Sequence, residues 1–177
     1  MRRQLLLGIA TLATLTPAAA GAAPSQLYGK SIIVSWTEVR EQRLLGESNF
    51  RQQAFAGALT VYVSSKGTLF NRRTNTNPAG ASGHVDQVGN DGRTTIGFQG
   101  RTLVAVRATN GGARRIVVTF DGAFTSCTAN VIRGKQTGAA TIRTQSIIHS
   151  GLEVEIRSVQ TSGETCTIKD GNVFAGQ

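Results

Sequence analysis

Three arginines, Arg101, Arg107 and Arg115, flank two apolar runs, Thr102–Arg107 and Ile116–Phe120, that are joined through Asn110-Gly111-Gly112. A three-residue loop with glycine in the left-handed position is a known hairpin closure. It sets Val106 against Ile116, Val104 against Val118 and Thr102 against Phe120 on one face. The other face carries Arg107 against Arg115 and Ala105 against Val117. A two-residue Asn-Gly loop sets Val106 against Arg115 and mixes the faces, so the three-residue register is expected. Arg101, Arg107 and Arg115 then share a side. Like charges directly opposite one another destabilise a sheet, so this face needs a counter-charge. Glu153 and Glu155 on a neighbouring strand would supply it; otherwise the three arginines form a candidate anion-binding face.

Other chemistry-bearing residues do not assemble in the sequence. His84-Val85-Asp86 invites an acid–base or metal role, but a metal needs three or four ligands, and no Cys or His is spaced to complete a set around His84 or His149. Asp86, Asn90 and Asp91 with Gly89 and Gly92 lack the alternating oxygen ligands of a calcium loop. No Gly-x-Ser-x-Gly elbow is present, and neither Gly-Asn-Asp-Gly nor Asn-Gly-Gly opens a helix after a strand as a phosphate loop does. A glycosidase needs two carboxylates across a cleft, and nothing in the spacing of Glu38, Glu41, Asp121 and Glu153 sets up such a pair. The expectation is no catalytic residue, no metal and no cofactor. Trp36, Tyr62, Phe98 and Phe120 are scattered rather than interleaved with arginine, so no specific nucleic-acid platform is expected.

The elements that would hold these residues are strands. Glycine is abundant, with 21 against 3 prolines, and short β-branched runs alternate with Gly, Asn, Asp and Ser, the pattern of an all-β, mainly antiparallel sandwich or barrel. Strands are expected at Ser31–Trp36, Ala58–Ser64, Thr94–Phe98, Thr102–Arg107, Ile116–Phe120, Cys127–Ile132, Leu152–Arg157 and Thr165–Ile168, with a Ser64-Ser65-Lys66-Gly67 turn leading into Thr68-Leu69-Phe70. Thr37–Leu45 is open to either strand or helix. Ser48 as a cap, with Phe50, Ala54 and Phe55 on one side, predicts a short helix over Ser48–Ala56. Residues 74–92 have almost no apolar content and read as a long surface loop.

The compartment is written at the N-terminus. Met1-Arg2-Arg3-Gln4 is a charged start, Leu5–Leu15 an apolar run, and Ala18–Ala23 a small-residue region, the order of a secretory signal. The run is too short to span a bilayer. A signal over residues 1–22 is expected, cut after Ala20 or Ala22, with residues 23–177 forming one domain and no transmembrane segment left after processing. The chain carries a formal +9; without Arg2 and Arg3, 17 basic residues face 10 acidic ones, leaving +7. Outside the cytoplasm, Cys127 and Cys166, the two cysteines of the chain, are expected to pair, closing a loop worth roughly 4 kcal/mol on the chain-entropy account. The reading that results is a periplasmic or secreted, non-enzymatic binding domain for an anionic polysaccharide, a lipid headgroup or an envelope protein. The alternative is a small exported enzyme or inhibitor.

Overall fold

The computed structural model describes residues 21–76, 79–80, 82–90, 94–109, 112–133, 140–143 and 153–175. After a single 3-10 turn, Ser25–Leu27, the described chain forms ten strands: β1 (Lys30–Leu44), β2 (Arg51–Val63), β3 (Leu69–Thr76), β4 (Ser82–Val88), β5 (Thr94–Gln99), β6 (Thr102–Thr109), β7 (Gly112–Phe120), β8 (Cys127–Arg133), β9 (Ala140–Arg143) and β10 (Glu153–Asp170). They make two antiparallel sheets, one of six strands in the order β4-β3-β2-β1-β10-β9 and one of four in the order β5-β6-β7-β8.

The two sheets share one core because the apolar residues alternate. On β1 the inward residues are Ile32, Val34 and Trp36, on β2 Leu59, Val61 and Val63, and on the smaller sheet Ile96, Phe98, Leu103, Ala105, Ile116, Val118, Phe120 and Val131. Period-2 burial of this kind requires each strand to have one face on the core. Leu27 and Ala23, from the segment before β1, complete the cluster.

β10 ties the sheets together. Between Ser35 and Thr37 its register against β1 shifts by one residue, and Gly163 there takes the left-handed backbone region at φ 67°. A bulge exchanges the two faces of a strand. As a result Cys166, opposite Val34, and Thr161, opposite Glu38, both face β8. The Thr161 hydroxyl donates to the Val131 carbonyl at 2.7 Å. Cys166 meets Cys127 with Cα atoms 5.6 Å apart and sulfurs at bonding distance, the disulfide expected from the sequence.

Three local expectations are corrected. Residues 48–56 contain no helix; β2 begins at Arg51, and Thr37–Leu44 continues β1 as its partner, with Glu38 opposite Phe55 and Gln42 opposite Arg51. Helix-forming side chains are held extended here because Arg40 lies over the Phe55 ring at 4.2 Å and Arg43 over Phe50 at 4.5 Å, contacts that propensity does not register. The polar stretch from Thr74 is no long loop either. It holds the end of β3 and all of β4, paired from Phe70↔Val88 to Thr76↔Ser82, an edge hairpin without an apolar stripe because neither face of β4 reaches the core.

The third correction is the register of β6 and β7. Arg107 lies opposite Arg114, Val106 opposite Arg115 and Ala105 opposite Ile116, with Thr109 opposite Gly112. Two residues, 110 and 111, therefore separate the strands. The neighbouring hairpin decides the matter. The two-residue turn at Gly100-Arg101 sets Phe98 opposite Leu103 and Ile96 opposite Ala105, so Leu103 and Ala105 go inward, where Val118 and Ile116 meet them. Val104 and Val106 are left half-buried on the outer face.

Candidate anion site between the sheets

The inward alternation of each strand near one end of the sandwich finishes on a polar residue. Along β6 it runs Leu103, Ala105, Arg107; along β7, backwards, Phe120, Val118, Ile116, Arg114; along β8, Cys127, Ala129, Val131, Arg133. Because Thr94 is opposite Arg107, Arg107 opposite Arg114, and Arg114 opposite Arg133, these ends form one rung across the smaller sheet: Thr94, Arg107, Arg114, Arg133. Adjacent guanidiniums on one face repel.

The facing sheet supplies one answer. β1 continues its own inward series past Trp36 into Glu38, Arg40 and Gln42. Glu38 is 1% exposed. Its Oε1 accepts from Arg133 Nη2 at 2.8 Å and from Arg40 Nε at 2.5 Å, and its Oε2 accepts from Arg114 Nη2. Arg114 also lies 5.4 Å from the Trp36 ring. Trp36 is set against β2 at Gly57, where a Cβ would come within 2.3 Å of the indole, so a side chain at 57 would displace the ring that backs Arg114. Arg73, buried on β3, donates from Nη2 to Thr94 Oγ1 at 3.1 Å.

The charges do not balance. Among the described residues Glu38 is the one carboxylate paired with Arg40, Arg114 and Arg133, and Arg107, half-buried on the same rung, has no ion pair. Burial is the largest influence on Glu38 and pushes its pKa up, yet the combined attraction of Arg114, Arg40 and Arg133 outweighs it and lowers the pKa from 4.5 to about 2. Arg114 is also pushed down, to about 10, by burial first and then by its like-charged neighbours against the pull of Glu38. The neighbouring arginines push both groups down: for Glu38 they outweigh burial, and for Arg114 they add to it. Among the described residues the Arg114 Nε, Arg133 Nε and Trp36 Nε1 atoms are buried without a hydrogen-bond partner, which is costly for N–H groups.

The arginines singled out in the sequence are not brought together. Arg107 points inward on the rung, whereas Arg115 lies on the outer face, exposed, opposite Val106. Arg101 is exposed in the turn at the other end of β6, six residues or about 20 Å along the strand from Arg107. Glu155 pairs with Arg43 at 2.7 Å instead, and the Glu153 side chain lies outside the described residues. Glu41 faces Arg157 and Ser158. Asp121 closes the β7–β8 loop through Thr125 and Ser126, so the acidic residues do not converge. His84 is exposed on β4, His149 and Asp91 lie outside the described residues, and no three His, Cys, Asp or Glu residues gather among those described. Arg40, Arg114 and Arg133 were missed by sequence reasoning, and Glu38 was considered only as one of a possible pair of catalytic carboxylates. Their signal was present: each continues an apolar alternation at the inward parity.

Among the described residues no helix is long and apolar enough to cross a membrane. Compared with family models, curated proteins and solved structures, the chain matches none, so its function has to be read from its own residues.

Proposed function

We propose that this is an exported, non-enzymatic binding domain whose ligand presents an anionic group to the arginine rung. The supporting observation is the charge surplus: among the described residues Arg40, Arg114 and Arg133 share the single carboxylate of Glu38, and Arg107 stands next to Arg114 on the same rung. Phosphate, sulfate or carboxylate oxygens would accept from Arg107 and from donors that Glu38 leaves unmet, in a setting where charge-assisted hydrogen bonds are strong. Arg107 is the entry point, because among the described residues no ion pair engages it and it lies near the β6–β7 end of its strand. The basic surplus of the chain draws such ligands from a distance. Export rests on the N-terminal signal pattern and on a cysteine pair of the kind kept in oxidising compartments.

The test is titration of the mature protein with inorganic phosphate, a sulfated polysaccharide and anionic phospholipid vesicles, at low and high salt. Binding to at least one is expected, weakening as the Debye length falls from about 10 Å at 0.1 M to about 3 Å at 1 M salt. Arg107→Ser should weaken it roughly tenfold, equivalent to one charge-assisted hydrogen bond, while Arg101→Ser with Arg115→Ser should change it far less. The three probes separate a free ion, a polymer and a membrane surface as sources of the anion. Failure of all three to bind, or a larger loss from the outer pair than from Arg107, would overturn the proposal.

A further inference from the structure

The outer face of the six-stranded sheet, turned away from the arginine rung, holds a hollow of about 550 Å³. Its floor is a cross-strand row in which Tyr62 lies opposite Phe70, and Phe70 opposite Val88. The Tyr62 and Phe70 ring centroids are 6.2 Å apart, and Val88 is 62% exposed. A sheet face open to water ordinarily carries polar residues in such a row.

The chain after β10 builds a wall. The Gly171 N–H donates to the Gly29 carbonyl at 2.8 Å. Ser31, fully buried beneath the strap, donates its hydroxyl to the Gly171 carbonyl at 2.7 Å. The strap thus crosses back over the sheet and delivers Phe174 to the Arg72 guanidinium, 5.0 Å from the ring. Arg72 in turn grips Asp86 through two bonds of 2.7 and 2.9 Å, which hold the Asp86 carboxyl below its usual range. Among the described residues Asp86 is the one charged residue lining the hollow, and its charge is already answered.

We infer that this hollow is a second binding site, for a small uncharged molecule with a flat apolar body and one hydrogen-bonding end. The volume lies within the roughly 300–1,000 Å³ of small-molecule sites. Three aromatic rings select a flat apolar body. The lack of an unanswered charge among the described lining residues selects a neutral one, and Ser64 and Asn172 in the lining offer polar partners for one end. Because this chemistry is not that of the arginine rung, the two sites respond differently to salt.

The experiment is fluorescence titration of the mature protein with N-phenyl-1-naphthylamine, a neutral, flat, apolar probe. A saturable rise in emission is expected, unchanged by salt and by Arg107→Ser. Val88→Glu places a charge in the hollow at an exposed position, and Phe174→Ala removes the wall; each should weaken binding at least about tenfold, or about 1.4 kcal/mol. Melting curves establish that the variants are folded. Where one is not, backbone amide shifts of the unaltered protein on adding the probe give the answer: shifts centred on Tyr62, Phe70, Val88 and Phe174 support the site. Absence of saturable binding, retention of wild-type affinity in folded Val88→Glu, or shifts centred elsewhere would overturn it.

Discussion

Replacing Glu38 with glutamine preserves its shape and removes its charge, leaving three guanidiniums without their shared carboxylate. Removing one member of a buried ion pair typically costs about 3–5 kcal/mol, so Glu38→Gln should melt roughly 10 °C lower at neutral pH. The pH dependence fixes the cause. The Glu38 pKa is about 2 in the fold against 4.5 ordinarily. A depressed carboxyl stabilises the fold fully above its unfolded value, and that stability disappears as pH falls through the folded one. The gap between wild type and variant should thus be constant above about pH 4.5 and close towards pH 2; melting curves across that range check it. In the sequence Glu38 reads as one acid in the polar string Thr37-Glu38-Val39-Arg40-Glu41. Its burial follows from β7 and β8 being placed opposite, where Arg114 and Arg133 wait, and that long-range fact is not written in local spacing. Arg107 was legible as a residue needing a counter-charge, but its neighbour and its face were not.

At the level of elements, the segment before β1 carries a prediction about processing. Gly21 forms an antiparallel bridge to Phe98, its N–H donating to the Phe98 carbonyl at 2.7 Å, and Ala23 is 7% exposed in the core. A cut after Ala22 would remove that bridge, whereas a cut after Ala20 keeps it. N-terminal sequencing of exported protein is expected to read Gly21-Ala22-Ala23; a start at Ala23 would count against the argument. Element recognition from the sequence succeeded where one face is greasy. Ser31–Trp36 and the alternation at Val154 and Ile156 are strands with those faces inward. It failed where partners replace apolar burial: Arg51–Gln53 is strand because β1 pairs with it, and β4 is strand through backbone pairing and the Arg72–Asp86 bond. It also failed at the β6–β7 register, because the Gly100-Arg101 turn and Phe98 decide which side of β6 is inside.

At the scale of the whole molecule, the two sheets are fastened at opposite ends by different means. One end has the Cys127–Cys166 disulfide, the other the Glu38 cluster joining β1 to β7 and β8. Intact mass of exported protein should be lower by two hydrogens than the reduced chain. Reduction should lower the melting temperature by on the order of 10 °C, given roughly 4 kcal/mol for a loop of this length. Reduced protein should still bind anions, because the arginine rung is held by its own strands. Loss of binding on reduction would mean that the two ends are coupled.

The pairing of β1 with β10 joins Lys30 to Asp170 and Ser31 to Lys169, placing nearly the first and nearly the last of the described residues side by side in the middle of a sheet. A ribosome or an export channel delivers the N-terminal partner long before the C-terminal one. Until β10 arrives, β1 has one open edge, Cys127 has no partner and the strap carrying Phe174 is absent. Contacts so distant in sequence form slowly, so the clasp on this domain is β10 with the strap that follows it. On the export proposed above, a chain that travels as an unfolded thread would thereby be kept from closing early, and this domain would fold only after β10 has come through.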